Sequence, residues 1–169
     1  MYKRIKIKNF RGITGLELKK PRRFNLLVGK NNCGKTSFLE SIFLLTGPTN
    51  TELPVIINNF RGYRLSGDYS WTIMFNKLDI DSPIILEGDW ETPKEKRLLT
   101  IRPLKETGII PGEAVNGSSR FTVTGSQTHR PGKLTGLTME YSVGKSSGIE
   151  SKIEKSKTIQ NEQVNYFSR

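Results

Sequence analysis

A chain of 169 residues is long enough for one domain with a real core. Its apolar content of 34% is low for a compact globule and predicts long loops or missing parts. No apolar stretch of about 18 residues occurs, which excludes a membrane-spanning helix, and "MYKRIKIKNF" lacks the hydrophobic segment of a signal peptide. The single cysteine, Cys33, forms no internal disulfide and fits a reducing cytoplasm. Net charge is +11 and unevenly placed: eleven of the 27 basic residues fall within residues 1–35, beside one acid, Glu17. That patch suits a phosphate-bearing partner, nucleotide or DNA. It is equally read as a solvated strand face, because no aromatic residues interleave with the lysines as a stacking platform requires.

"RIKIK" alternates strictly, with Ile5 and Ile7 on one side and Arg4, Lys6 and Lys8 on the other, which predicts a half-buried strand. The turn "NFRGITG" leads into "LELKK", and the two segments predict an antiparallel hairpin ended by Pro21. "FNLLV" (24–28) is a continuous apolar run, as expected of a strand covered on both faces. Over 35–45, Phe38, Leu39, Ile42, Phe43 and Leu45 recur at helical spacing, with Ser37, Glu40 and Ser41 opposite, and Gly47-Pro48 ends the helix. Beyond residue 50 the signals weaken. "VIINNF" fits a strand or a short helix, and "WTIMF" is ambiguous. "PIILEGDW" and "RLLTIRPL" predict strands joined by "ETPKEK". Residues 103–136 are rich in Gly, Ser and Thr, "LTMEYSV" predicts a strand, "GKSSGIESKIEKSKTIQNEQ" a polar loop, and "VNYFSR" a final strand. "NFRGI" (9–13) and "NFRGY" (59–63) echo each other, but five residues make no repeat architecture and read as coincidence.

The octapeptide "GKNNCGKT" (29–36) matches G-x-x-x-x-G-K-[ST] through Gly29, Gly34, Lys35 and Thr36. Glycines let the loop curl so that successive N–H groups converge on phosphate oxygens, and a helix beginning at Lys35 adds its positive dipole end. Lys35 then reaches the β- and γ-phosphates and the Thr36 hydroxyl ligates Mg²⁺. Cys33 reads as a small loop filler rather than a nucleophile, because a catalytic thiol needs a base and the one histidine, His129, lies far along the chain.

"IKIKNFRGITGLEL" followed by "FNLLVGKNNCGKTSFLESIFLL" resembles the N-terminus of ABC-type ATPases related to RecF, SMC proteins and the OLD family. It is closest to the AAA-family, OLD-like members of bacterial anti-phage and plasmid-defence systems. The resemblance covers residues 2–46, with Asn31 and Glu40 on matching positions and Cys33 where serine or alanine is commoner. It implies an α/β fold, more closely an α+β lobe of P-loop NTPase type. An N-terminal antiparallel hairpin, a P-loop strand and its helix (1–50) would share a mixed sheet with a β-rich, loop-rich remainder (51–169). It implies that Asn31, Asn32, Cys33, Gly34, Lys35, Thr36 and Ser37, with Gly29, wrap ATP. It also sets Arg11 beside the nucleotide, where the residues alone equally allow a turn arginine in water.

The family's serine-glycine signature, its apolar run ending in Asp-Glu and its downstream histidine have no match in the sequence. The expectation is therefore a single N-terminal ATP-binding lobe, 1–169, that stops before those motifs. ATP binding is expected of it, and hydrolysis only together with the missing half and dimerisation. A homodimer, or a nuclease or effector partner, follows from the same resemblance, as does a cytoplasmic, DNA-related role. Two rivals stand beside it. One is a nucleotide-dependent assembly module that turns nothing over. The other is a GTPase reading guanine through Asn76, Lys77 and Asp79 of "NKLD", a motif that comes too soon after the loop and without a D-x-x-G between.

Overall fold

The computed structural model describes residues 1–63, 70–105, 134–144, 149–155 and 164–168. Its frame is one seven-stranded sheet in the order β2-β1-β3-β4-β5-β6-β7. The strands are β1 (Tyr2–Phe10), β2 (Ile13–Lys19), β3 (Ile84–Trp90), β4 (Glu95–Lys105), β5 (Leu134–Val143), β6 (Ile149–Lys155) and β7 (Val164–Ser168). Every neighbouring pair is antiparallel.

The β1–β2 hairpin forms as its alternation predicts, and β3, β4, β5 and β7 fall on the segments expected to be strands. β6 lies inside the stretch expected to be a polar loop. "VIINNF" resolves into a short helix, α2 (Leu53–Asn59), and "WTIMF" into a 3-10 turn at Ser70–Met74. The pieces expected within 106–133, including "RFTVTG" and His129, lie outside the described residues.

Two expectations are corrected. Residues 24–28 form no strand: Phe24 and Leu26 are 84% and 87% exposed, and Val28 is exposed with them. A strand exists only by hydrogen bonding to a neighbour. Both sides of β1 are taken, by β2 and β3, and among the described residues no strand pairs with 24–28. Without that strand the described sheet is wholly antiparallel rather than mixed.

The second correction concerns α1 (Lys35–Thr46). Its buried face carries Ser37, Glu40 and Ser41 beside Phe38, Leu44 and Leu45, while Leu39 and Phe43 are exposed. The polar side of the helix faces inward because two arginines wait there for Glu40.

α1 packs on β1, β3 and β4. The core beneath it joins Ile5, Ile7, Leu86, Leu99 and Ile101 of the sheet to Leu44 and Leu45 of α1, Ile57 of α2 and Trp71 and Met74 of the 3-10 turn. Burial on this scale supplies most of the stabilisation, at roughly 1.5–3 kcal/mol per large apolar side chain. The opposite face of the sheet is polar. There Arg4 Nε donates to Asp89 at 2.7 Å and Lys96 pairs with Glu87 at 3.0 Å. The hydrogen bond from Arg4 holds the Asp89 carboxyl below its ordinary pKa.

Candidate phosphate-binding site

The chain leaves β2, passes through the exposed segment 21–28 and curls at residues 29–34 before entering α1. Gly34 sits at φ 92° as the residue capping the helix, and Asn32 adopts φ 62°, both in the left-handed region that a tight curl requires. Gly29 likewise has a positive φ, 154°, and a Cβ there would stand 2.7 Å from Cys33 Sγ. The curl closes around its own lysine. Lys35 Nζ donates to the carbonyls of Gly29 at 2.7 Å and Lys30 at 2.6 Å, with Cys33 Sγ at 3.6 Å. No side chain caps the start of α1, so its first N–H groups are open to an anion.

In front of this helix end lies a cavity of about 490 Å³, a size suited to a nucleotide. Asn31, Asn32, Gly34, Lys35, Thr36, Ser37 and Arg11 line it, whereas Gly29 and Cys33, expected to wrap ATP with them, stand outside the lining. Cys33 is a free, exposed thiol. The far side adds Arg61, Tyr63, Ile73, Phe75 and Leu78, which sequence reasoning missed, and Lys77, which it named only for guanine reading. Four lining residues are cations, and none is an acid.

Behind the cavity a buried carboxylate organises two of those cations. Arg61 grips Glu40 with both ends of its fork, at 2.6 and 3.0 Å, and reaches Ser37 Oγ at 3.3 Å. Arg11 Nε lies 2.8 Å from the same carboxylate, paired by charge without hydrogen-bond alignment, and its Nη2 donates to Asn58 Oδ1 at 2.9 Å. Burial lowers the Arg11 pKa while Glu40 opposes the shift; a guanidinium nonetheless stays charged at any physiological pH. Arg11 is thus neither a solvated turn arginine nor a free ligand. It lines the cavity with its charge already partnered. Two arginines on one carboxylate leave the cluster with a surplus positive charge.

The one signal for Arg61 in the sequence was the echo of "NFRG". The two copies are no repeat, since one makes a hairpin turn and the other ends α2, yet both arginines arrive at Glu40.

Asn76, Lys77 and Asp79 of "NKLD" meet at a hollow apart from the cavity before the loop. Asn76 is buried, with Nδ2 donating to the Arg11 carbonyl at 2.6 Å and Oδ1 accepting from Thr14 Oγ1 at 3.0 Å. Asp79 lines that hollow with Lys8, Asn9 and Ser82. Hydrogen bonds from the Ser82 side chain and the Asp81 backbone lower its pKa. Of these three only Lys77 also lines the cavity before the loop, so no guanine-reading set is assembled there. Among the described residues no three His, Cys, Asp or Glu side chains gather as a metal site, and no helix is long and apolar enough to cross a membrane.

Comparison with known families finds a match to the model described as AAA ATPase domain over residues 1–166. Proteins named DNA replication and repair protein RecF match over 42 residues. The identity is 52% in Pasteurella multocida (strain Pm70), Actinobacillus succinogenes and Geobacter metallireducens alike. The matched segment is 25% of this chain and 12% of each relative, so the chain spans a small part of their length. No solved structure gives a significant match.

Proposed function

Because the chain belongs to the AAA ATPase domain family, we propose that residues 29–37 bind the triphosphate of Mg-ATP and that the chain is the nucleotide-binding lobe of a larger ATPase. One observation carries the reading: a cavity at an uncapped helix N-terminus, lined by four cations and no acid. With Arg11 and Arg61 sharing the one Glu40 carboxylate behind the wall, the surface keeps a surplus positive charge and favours a multiply charged anion. Lys35 now spends its donors on two loop carbonyls; a phosphate oxygen offers it a charge-assisted bond instead, which is stronger. The exposed Thr36 hydroxyl is the residue to hold Mg²⁺, whose remaining ligands would be phosphate oxygens and water.

Bound, the metal would neutralise developing phosphate charge. The residues around the cavity bind and orient; among the described residues none is placed to activate water, and hydrolysis is assigned to a further part of the ATPase and to dimerisation. The RecF name and the basic N-terminal segment support a DNA-related setting. An OLD-like role in anti-phage defence rests on the resemblance of residues 2–46, as does a nuclease or effector partner. A nucleotide-dependent assembly module is the second reading, favoured by the apolar side chains Phe24, Leu26 and Val28 exposed beside the loop.

Lys35→Ala tests the core of this reading. ATP binding by calorimetry should be lost, and the unaltered chain should show negligible phosphate release. Equal ATP affinity in the variant would refute phosphate binding here. Robust Lys35-dependent turnover by the chain alone would refute the lobe reading.

A further inference from the structure

The wall facing the phosphate loop is built on a turn that is bolted to the hairpin and strained at its tip. Three hydrogen bonds join Asn76 to the β1–β2 turn. Its N–H donates to Asn9 Oδ1 at 3.2 Å, its Nδ2 to the Arg11 carbonyl, and its Oδ1 accepts from Thr14. Arg11 N–H adds a fourth tie, to the Met74 carbonyl at 2.8 Å. The next two residues, Lys77 and Leu78, both adopt left-handed backbone, at φ 53° and 61°. That conformation suits Gly or Asn and disfavours a leucine. Neither side chain gains burial in return. Lys77 is exposed, Leu78 is 60% exposed, and both line the cavity. Strain of this kind, held by surrounding structure and uncompensated by packing, collects at ligand clamps.

We propose that Lys77 and Leu78 form the nucleoside wall of the cavity, covering the base and sugar of a purine nucleoside triphosphate without reading the edge of the base. The proposal rests on the phosphate reading above and extends it to the rest of the ligand. Leu78 supplies apolar surface and Lys77 its aliphatic stem, continuous with Phe75 and Ile73 behind them. Discrimination between adenine and guanine needs a fixed donor and acceptor pair. The turn has none to offer, since Asn76 has both ends of its amide bonded inside the protein and Asp79 opens on the other hollow. The wall therefore adds affinity by shape and apolar contact, for either purine.

The test is calorimetric titration of the whole 169-residue chain with Mg-ATP, Mg-GTP and Mg-tripolyphosphate, in the unaltered protein, in Leu78→Gly and in Lys35→Ala. In the unaltered protein ATP and GTP should bind within about tenfold of each other, and tripolyphosphate at least about tenfold more weakly, as one covered apolar side chain is worth. Leu78→Gly relieves the backbone strain, so its melting temperature should match or exceed the original. It should nonetheless lose about five- to tenfold in ATP and GTP affinity and keep that for tripolyphosphate. Leu78→Asn, which also tolerates left-handed backbone, should behave the same way. Lys35-dependent binding in which ATP and tripolyphosphate are equal, or an unchanged ATP affinity in both Leu78 variants, would overturn the wall and leave the phosphate site standing. So would a guanine preference of about a hundredfold or more. Failure of the unaltered protein to bind any of the three would remove both.

Discussion

Asn-Phe-Arg-Gly occurs twice, at 9–12 and 59–62, and the two copies occupy opposite settings. In the first, Phe10 is fully buried, Arg11 is locked between Glu40 and Asn58, and Asn9 donates to the carbonyls of Asp79 and Ser82. In the second, Phe60 is 79% exposed and Arg61 reaches Glu40 from the cavity rim. The same tetrapeptide is a keystone in one place and a lip in the other. What differs is the backing. The first copy turns between two paired strands and receives the segment Met74–Asn76, while the second follows a seven-residue helix with nothing laid over it among the described residues. Local sequence chooses a turn; tertiary neighbours decide whether its side chains hold the fold or face a ligand.

The sharpest way to break this comparison is to truncate the two phenylalanines. Phe10→Ala should cost about 3–5 kcal/mol, the usual price of an aromatic cavity in a core. Phe60→Ala should change stability by less than about 0.5 kcal/mol, as at other exposed sites. Urea unfolding of both variants reads the difference. Comparable losses would mean that Phe60 is covered by something outside the described residues.

The arginines come next. Arg11→Ala removes one of two partners from a buried carboxylate. Arg61 still neutralises Glu40, so the loss should fall below that of a fully orphaned charge, at about 2 kcal/mol. Arg61→Ala takes both arginine hydrogen bonds from the buried carboxylate but leaves the charge of Arg11 beside it and opens a partly solvated site, so it should cost somewhat less, about 1.5 kcal/mol. The order inverts for ligand. Arg61 lines the cavity at its rim and is more exposed there than Arg11, so its loss should weaken ATP more per unit of stability lost. Chemical denaturation and ATP titration on the same two proteins check both halves. A larger stability loss for Arg61 would make the rim copy the structural one.

How much of this was legible beforehand follows the same division. The β1–β2 hairpin, β3 and β4 could be read because alternation of apolar and polar residues is a local signal of a half-buried strand. The curl at residues 29–34 and the helix after it were legible because the glycine and lysine spacing has a mechanical meaning. Residues 24–28 misled, since an apolar run states that a segment seeks burial but not that a partner strand lies beside it. The inner face of α1 misled for a related reason. Helical spacing gives no hint that Glu40 will be buried by arginines from two distant turns, and so the polar side was set outward. Residues 70–78 show no period at all. Their placement depends on Asn76 finding Asn9, Arg11 and Thr14, a three-dimensional fact with no one-dimensional trace.

The fourth residue of each copy gives the smallest contrast and the cleanest one, because a single methyl group probes it. Gly62 has φ 74°, a conformation that costs an L-residue about 1–2 kcal/mol. Gly12 has no such backbone demand, and a Cβ there would meet nothing within 4 Å. Gly62→Ala should therefore destabilise by about 1–2 kcal/mol although its new methyl also stands in open space. Gly12→Ala should be neutral, or stabilising by about 0.4–1 kcal/mol, because the unfolded chain loses freedom that the folded turn never used. Both glycines are exposed, so the turn whose neighbours Phe10 and Arg11 are buried should tolerate the substitution better than the other on backbone conformation alone. Thermal unfolding of the two alanine variants decides it. Gly12 also lines the cavity, so ATP titration of Gly12→Ala, its fold intact, reports whether ligand comes close to the hairpin turn. A destabilised Gly12→Ala alongside a neutral Gly62→Ala would show that contacts, not backbone conformation, set the cost at both turns.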